Sequence, residues 1–375
     1  VTIDALELGP IRPPSEATSL LLRVTRNCSW NRCKFCHIYK GQRFELRPVA
    51  DIKQEILNVK AIQDQLLEAA GRAGGLEAAA VSILNNPLSE THFNVALWLY
   101  HGGTSAFLQD ANTLIMPTKD LVEVIKFLKE TLPSITRITS YGRSKTAAKK
   151  KLDELKALHE AGLDRLHIGL ESGYDPILAY MDKGVTAADH IAGGKNVVAS
   201  GISLSEYVLQ GMGGHQRWRE HATETGKVLS QINADFIRVR TLTIKEGMPL
   251  YEEVKEGKFV RATDEEIVAE EKLLIENLNC KSYFVSDHIT NLLQEIEGQL
   301  PEAKDDMLAV IARYQSLADE ERQNFRLGRR MGVYATLDDL NDAGKHGLVA
   351  QAVARVAKDG KVDEEIIYSL MERFI

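Results

Sequence analysis

The chain has 375 residues, with 46 basic against 53 acidic side chains and a formal net charge of −7. A mildly acidic chain is not built to coat nucleic acid, because neutralising phosphates needs a basic face. Hydrophobic residues at 44% and charged residues at 26% are globular values, and the length suits about two or three domains or one barrel with additions. Disorder, collagen and coiled coil are excluded as the main architecture.

Residues 1–18 are punctuated by Pro10, Pro13 and Pro14 and read as an extended arm. Val1 to Pro14 lacks a basic start followed by an apolar run, so no secretory signal is expected. Ser19–Arg26 (SLLLRVTR) reads as a strand, with a cysteine-rich loop directly after it. From Asp51 to about Glu90 the spacing of Ile52, Ile56, Val59 and Ile62 predicts helix, broken at Gly74-Gly75. Strand and helix then alternate. SAFLQ from Ser105 precedes helix Thr118–Leu132 with Thr118 as N-cap, and ITRITSY precedes helix Thr146–Glu160, capped by Gly162. RLHIGL, helix Ala187–Ala199, SLSEYVL, helix Glu220–Ile232 and FIRVRTL follow.

Counting SLLLRVTR first, this pattern predicts six parallel strands with right-handed crossovers. The expected fold class is therefore α/β, a partial (β/α)6 TIM-like barrel with a mostly helical C-terminal region. Four segments are expected: an arm over 1–18, the barrel over 19–247 with a helical insertion at about 51–100, a helical region over 248–335, and a helical hairpin over 336–375. The stretch Thr91 to Gln109 is free of charged residues but carries two His, an Asn, a Gln and a Gly pair, and makes a poor membrane span. A soluble protein of a reducing compartment, the cytoplasm, is expected.

Three of the four cysteines, Cys28, Cys33 and Cys36, fall in one short loop, a spacing for binding rather than for disulfides. Three thiolates there can converge on one metal. A [4Fe–4S] cluster takes four ligands, so three would leave one iron open, as catalytic metal sites are. The same cysteines with His37 or another residue would equally hold a structural zinc. Cys280 is read as a buried thiol.

This loop, placed after the first strand of a six-unit βα pattern, resembles that of radical S-adenosylmethionine (radical SAM) enzymes. Their usual signature is CxxxCxxC with an aromatic or apolar residue before the last Cys. Phe35 takes that place, while the first gap here is one residue longer. The stretch GLESGYDPILAYMDKGVT, from Gly169, resembles the segment after the fourth barrel strand in the coproporphyrinogen-oxidase, methylthiotransferase and Elongator-like branch.

The resemblance implies a [4Fe–4S] cluster on the three cysteines and S-adenosylmethionine (AdoMet) as its partner. Glu171 would hold the AdoMet ribose hydroxyls and Lys183 would meet its carboxylate, although Glu171 as a helix cap remains open. Asp110 and Asn112 would receive the AdoMet amino group, with His101-Gly102-Gly103-Thr104 as a rival. Ser140 and Arg143 end the third strand, and Arg143 would bind a carboxylate or face solvent. Val208 and Leu209 would flank the adenine or be core, beside a Gly211-Met212-Gly213-Gly214 turn that resembles the family's "GxPG" turn. Arg240, with Arg238 on one face of a strand, implies an anionic substrate if that face is interior. Asp287 and His288 in SYFVSDHI are candidates for acid–base work, against a packed histidine.

The implied activity is reductive cleavage of AdoMet to a 5′-deoxyadenosyl radical that abstracts hydrogen from a small-molecule substrate. The implied partner is an external electron donor of flavodoxin or ferredoxin type. The rivals are a barrel with a structural zinc or iron–sulfur site, and a radical SAM enzyme modifying RNA or protein. Nucleic acid is disfavoured by charge. The run Lys145, Lys149, Lys150 and Lys151 is read as a solvated helix face.

Overall fold

The structure, a computed structural model, describes residues 6–358 and 361–374. Residues 1–5 of the expected arm, and 359, 360 and 375 of the expected hairpin, lie outside the described residues. The fold is mixed α/β and divides into two compact units. Unit one comprises Val1–Asn31, Ile38–Ile168 and Ala192–Leu204; unit two comprises Arg32–His37, Gly169–Ile191 and Ser205–Ile375.

In unit one, β1 (Leu20–Arg23) is followed by a small antiparallel ribbon, β2 (Thr25–Arg26) with β3 (Glu45–Leu46). The helical insertion comprises α1 (Val49–Ala73), α2 (Leu76–Asn85) and α3 (Glu90–Tyr100). Ile52, Ile56, Val59, Ile62 and Leu66 form the buried stripe of α1, at the spacing that puts them on one face. The helix ends where Gly74 takes φ 85°, a left-handed cap that glycine adopts without a Cβ clash.

Then come β4 (Ser105–Gln109), α4 (Thr118–Thr131), β5 (Arg137–Gly142), α5 (Ser144–Lys149), α6 (Leu152–Ala161) and β6 (Arg165–Glu171). These strands pair in parallel as β1-β4-β5-β6, with Leu20 opposite Ala106, Ala106 opposite Ile138 and Tyr141 opposite His167. Nearly continuous burial along β4 suits a parallel strand covered on both faces.

Two expectations are corrected here. The N-cap of α4 is Pro117, not Thr118, because Thr118 Oγ1 instead accepts from Lys150 Nζ at 2.8 Å and donates to Glu154 at 2.7 Å. Those bonds, with the extended backbone of Lys150 (φ −72°, ψ 142°), also break the expected helix 146–160 into α5 and α6. Lys150 is thus folded inward, where burial lowers its pKa, and the lysine run is not one solvated face.

In unit two, the end of β6 leads to α7 (Asp175–Tyr180) and to the start of α8 (Ala187–Ser200), which from Ala192 on belongs to unit one. The chain continues with β7 (Ser203–Gln210), α9 (Gly214–Ile232), β8 (Phe236–Thr241), α10 (Pro249–Lys255), α11 (Asp264–Asn277), β9 (Tyr283–Val285) and β10 (Glu297–Gln299). Four helices close it: α12 (Lys304–Ser316), α13 (Asp319–Arg330), α14 (Ala343–Val356) and α15 (Glu364–Met371). β7, β8 and β9 pair in parallel, and β10 pairs antiparallel to β9.

All six expected strands are found, as β1 and β4 to β8, and among the described residues β9 and β10 add two more. SYFVSDHI holds β9, and with β10 it interrupts the region expected to be helical. Strands of three residues are too short for an alternating pattern to show in sequence. The closing helices are pinned to α11 by Asp264, which is buried between Arg326 (3.2 Å) and Arg330. Arg326 also pairs with Glu364 on α15 at 2.6 Å.

Candidate functional site

The cysteine loop leaves β1, and its first half belongs to unit one. Asp110, fully buried just past β4, is the clasp on that half. It accepts from Arg23 Nε at 2.8 Å, from the Asn27 backbone N–H at 2.7 Å and from the Tyr39 hydroxyl. Burial and the Asp110 carboxylate together push the Tyr39 phenol well above its usual range. Asn112 works the same way. Its Nδ2 donates to Ser29 Oγ at 3.1 Å and to Thr146 Oγ1 at 2.9 Å, while its Oδ1 accepts from the Arg143 N–H at 3.1 Å.

Asp110 and Asn112 are thus spent on holding the loop that starts at Asn27. An ammonium, which the resemblance implied they would receive, would have to share oxygens that already accept those bonds. Ser140 is likewise committed inside the chain: it is fully buried, with its hydroxyl 2.8 Å from the Leu108 carbonyl and 2.6 Å from Thr113 Oγ1. The Arg143 guanidinium lies 5.3 Å from the centroid of Trp30, two residues past Cys28. Gly102 and Gly103, at φ 95° and 63°, form the turn that ends α3 before β4, so the rival match sits at the wrong end of that strand.

Among the described residues Cys28, Cys33 and Cys36 form no disulfide and are half-buried, and Cys280 is buried. Cys28 Sγ accepts the Asn31 backbone N–H at 3.3 Å. Among the described residues no group of three or more His, Cys, Asp or Glu side chains is placed to hold a metal ion. The second half of the loop belongs to unit two. There the Lys34 N–H bonds the Met181 carbonyl at 2.9 Å and the Lys34 carbonyl takes the Leu250 N–H at 3.0 Å. Its Nζ pairs with Glu253 at 2.7 Å and lies 4.3 Å from the Tyr180 ring centroid. Phe35 packs on the apolar cluster of Ile177, Met181, Met212 and Phe259.

The end of β6 carries the most developed polar geometry in unit two. Glu171 takes φ 65°, a left-handed conformation uncommon for a residue with a side chain. Its Oε1 pairs with Lys183 Nζ at 3.0 Å. A Cβ on Gly169 would stand 2.1 Å from that oxygen and 3.2 Å from Nζ, so the ion pair occupies the space a side chain would fill. Glu206 on β7 is fully buried, and neither of its carboxylate oxygens has a hydrogen-bond partner among the described residues. Burial, then the charge of Glu171, raises its pKa well above the usual carboxylate range.

The turns after β6 and β7 are tied through His221 on α9. Its Nε2 donates to the Leu209 carbonyl at 3.2 Å, which leaves Nδ1 to accept from Ser172 at 2.9 Å. Burial pushes its pKa down to about 4, in keeping with that neutral tautomer. Glu270 on α11 takes the Gly211 N–H at 2.9 Å, and burial raises its carboxyl well above the usual range.

Glu206, His221 and Glu270 were missed in the sequence. Glu206 had a signal, a lone acid inside the apolar strand SLSEYVL. His221 and Glu270 sit on ordinary amphipathic helices and had none. Val208 is buried core, while Leu209 packs against the Ile177–Phe259 cluster.

Asp287 and His288 are not bonded to one another. Asp287 is exposed and pairs with Arg238 at 3.3 Å, while His288 Nδ1 meets Thr290 Oγ1 at 2.7 Å. Burial, then Arg240, lowers the His288 pKa to about 4. Arg240 itself lies 4.8 Å from the Tyr207 ring centroid. The packed-histidine reading fits this geometry better than an acid–base pair.

No protein-family model and no curated protein matches the chain. Several solved structures are similar. The Elp3 of the archaeon Methanocaldococcus infernus is 15% identical over 56% of this chain and 53% of its own, with a TM-score of 0.42. The radical S-adenosylmethionine methyltransferase TsrM from Kitasatospora setae, with cobalamin and a [4Fe-4S] cluster bound, is 15% identical over 64% and 37%, with a TM-score of 0.44. Coproporphyrinogen III oxidase (HemN) from Escherichia coli, described as a radical SAM enzyme, is 11% identical over 95% and 89%, with a TM-score of 0.40. The chain thus spans about half or less of the first two. Among the described residues no helix is long and apolar enough to cross a membrane.

Proposed function

We propose that this chain is a radical SAM enzyme acting on a small molecule. The observation that carries the reading is the loop of three closely spaced cysteines after β1, held at its base by Asp110. By donor chemistry these residues fit an iron–sulfur cluster: thiolates are its ligands, and the backbone N–H on Cys28 Sγ is the kind of contact that tunes one. Metal binding and the local folding of this loop would be coupled. When bound, the cluster supplies one electron for reductive cleavage of AdoMet.

The chain's own residues have definite tasks in this reading. Lys183 fixes Glu171 through Oε1, which leaves Oε2 to accept ribose hydroxyls. Gly169 keeps the space for that pair open. Burial and the charge of Glu171 favour the protonated form of Glu206, which lessens the negative charge around Lys183. His221 and Glu270 hold the two flanking turns in place while ligand binds. Arg143 and Leu209 are offered to the AdoMet carboxylate and adenine, and Arg240 to an anionic part of the substrate. A flavodoxin- or ferredoxin-type donor and a reducing, cytoplasmic setting complete the proposal.

The test is anaerobic. The protein is reconstituted with iron and sulfide and its absorbance near ~400 nm recorded, as expected of cluster thiolate charge transfer. Dithionite and AdoMet are then added and 5′-deoxyadenosine is assayed. The expected result is 5′-deoxyadenosine that disappears in Cys28→Ala, Cys33→Ala and Cys36→Ala. A colourless protein holding one zinc overturns the reading in favour of a structural site.

A further inference from the structure

The Cys33–Cys36 half of the loop is fastened by Lys34 through every polar group that residue has. Its backbone N–H bonds the Met181 carbonyl, just past α7, at 2.9 Å. Its carbonyl takes the N–H of Leu250, at the start of α10, at 3.0 Å. Its ammonium pairs with Glu253 Oε1, on α10, at 2.7 Å.

Glu253 joins three segments with one carboxylate. Its second oxygen, Oε2, accepts from the Tyr180 hydroxyl on α7, so the loop, α7 and α10 meet on this side chain. Its backbone is fixed as well, because the Glu253 carbonyl takes the Lys258 and Phe259 N–H groups at 2.8 and 3.1 Å. The Phe259 ring in turn lies nearly parallel to that of Tyr180, with centroids 6.2 Å apart. Helices of six and seven residues do not hold a direction unaided. Contacts such as these therefore decide where α7 and α10 stand against the loop.

The pair also balances charge between two of the cysteines. Lys34 lies next to Cys33 and two residues before Cys36 in the chain, and Glu253 sets one negative charge against its positive one. The two side chains are 29% and 20% exposed, and partly buried charges are screened less than surface ones. We propose that Glu253 is a positioning residue for the cluster: acting through Lys34, it holds the Cys33–Cys36 half of the loop and cancels the positive charge there. This rests on the cluster reading above. Positive charge nearby favours adding an electron to an iron–sulfur cluster, so the potential follows the local net charge. Breaking the pair from its two ends should then move the potential in opposite directions, which a merely structural clasp does not do.

The test has two arms. In the metal-free protein, hydrogen exchange is followed on the peptides that carry the Lys34 and Leu250 amides. Glu253→Ala should speed exchange in both severalfold. A peptide ending at Trp30, which carries the Asn27 amide held by Asp110, should be unchanged. In the reconstituted protein, the cluster is titrated with dithionite, each cluster taking up one electron, and the midpoint potential is read by electron paramagnetic resonance. Glu253→Gln should raise the midpoint, Lys34→Met should lower it, and the double variant should return it toward the wild type. Unchanged exchange in Glu253→Ala overturns the proposal. So do midpoints that stay put, or that shift with the same sign in both single variants. A wild type that takes up no iron overturns the cluster reading, and this proposal with it. That failure is told apart from the others because they need a loaded cluster or no metal at all.

Discussion

Gly169 and Glu171 stand on one face of β6, and the side chain of the second fills the volume that a Cβ on the first would claim, at 2.1 Å from its Oε1. Lys183 closes the arrangement from the far side. Gly169→Ala should therefore displace the carboxylate and break the ion pair. Affinity for AdoMet is expected to fall about tenfold or more. Equilibrium dialysis with the reconstituted protein checks this, and circular dichroism checks that the fold is retained.

Asp110 carries the loop at its base. Asp110→Ala leaves the Arg23 guanidinium and the Asn27 N–H without their acceptor in a buried place. Loss of one partner of a buried pair costs about 3–5 kcal/mol, readable as a drop in the urea midpoint. Iron uptake on reconstitution should fall with it, while Asp110→Glu should recover part of both.

Glu271 should withdraw stability as the solution is made less acidic. Glu271 on α11 is buried, and its pKa is raised to about 7 from an ordinary carboxylate value; Glu206 and Glu270 shift the same way. Between the unfolded and folded values the native chain keeps a proton that the unfolded chain has released, so the contribution is full below pH ~4.5 and lost by pH ~7 for Glu271. The size for that residue is about 3 kcal/mol. Because His221 and His288, kept neutral by burial, act in the opposite direction, the readout is the difference: the thermal midpoint of Glu271→Gln relative to that of the wild type should rise between pH ~5 and pH ~7 and level off above it.

Asp264 holds two buried arginines at once. Asp264→Ala strands Arg326 and Arg330 without their shared carboxylate, a loss of about 3–5 kcal/mol. Limited proteolysis should then cut among α12 to α15 at denaturant concentrations that leave the wild type intact.

The α/β alternation was legible because apolar strands and amphipathic helices carry different periods, and α1, α4 and β4 to β8 follow them. Gly74 and Gly162 marked helix ends because only glycine takes φ 85° or 115° freely. What stayed hidden depends on partners far along the chain. Lys150 turns inward only because Thr118 and Glu154 wait there. Asp110 has the right chemistry for a ligand, yet Arg23 and Tyr39 claim it first. β9 and β10 are recognisable only through each other and β8.

The insertion of α1 to α3 between two paired strands bears on the order of assembly. Ser19 and Ser105, 86 residues apart, meet at the start of β1 and β4, while Ser140 reaches Leu108 across only 32. Closing the longer span loses more chain entropy, and distant contacts form slowly. β4 and β5 should thus find each other first, with β1 and the Cys28 end of its loop docking late. A chain emerging from the ribosome would then seat the Cys28 end of the loop only after most of unit one is made, and the Cys33–Cys36 end only once Met181 and Leu250 have followed.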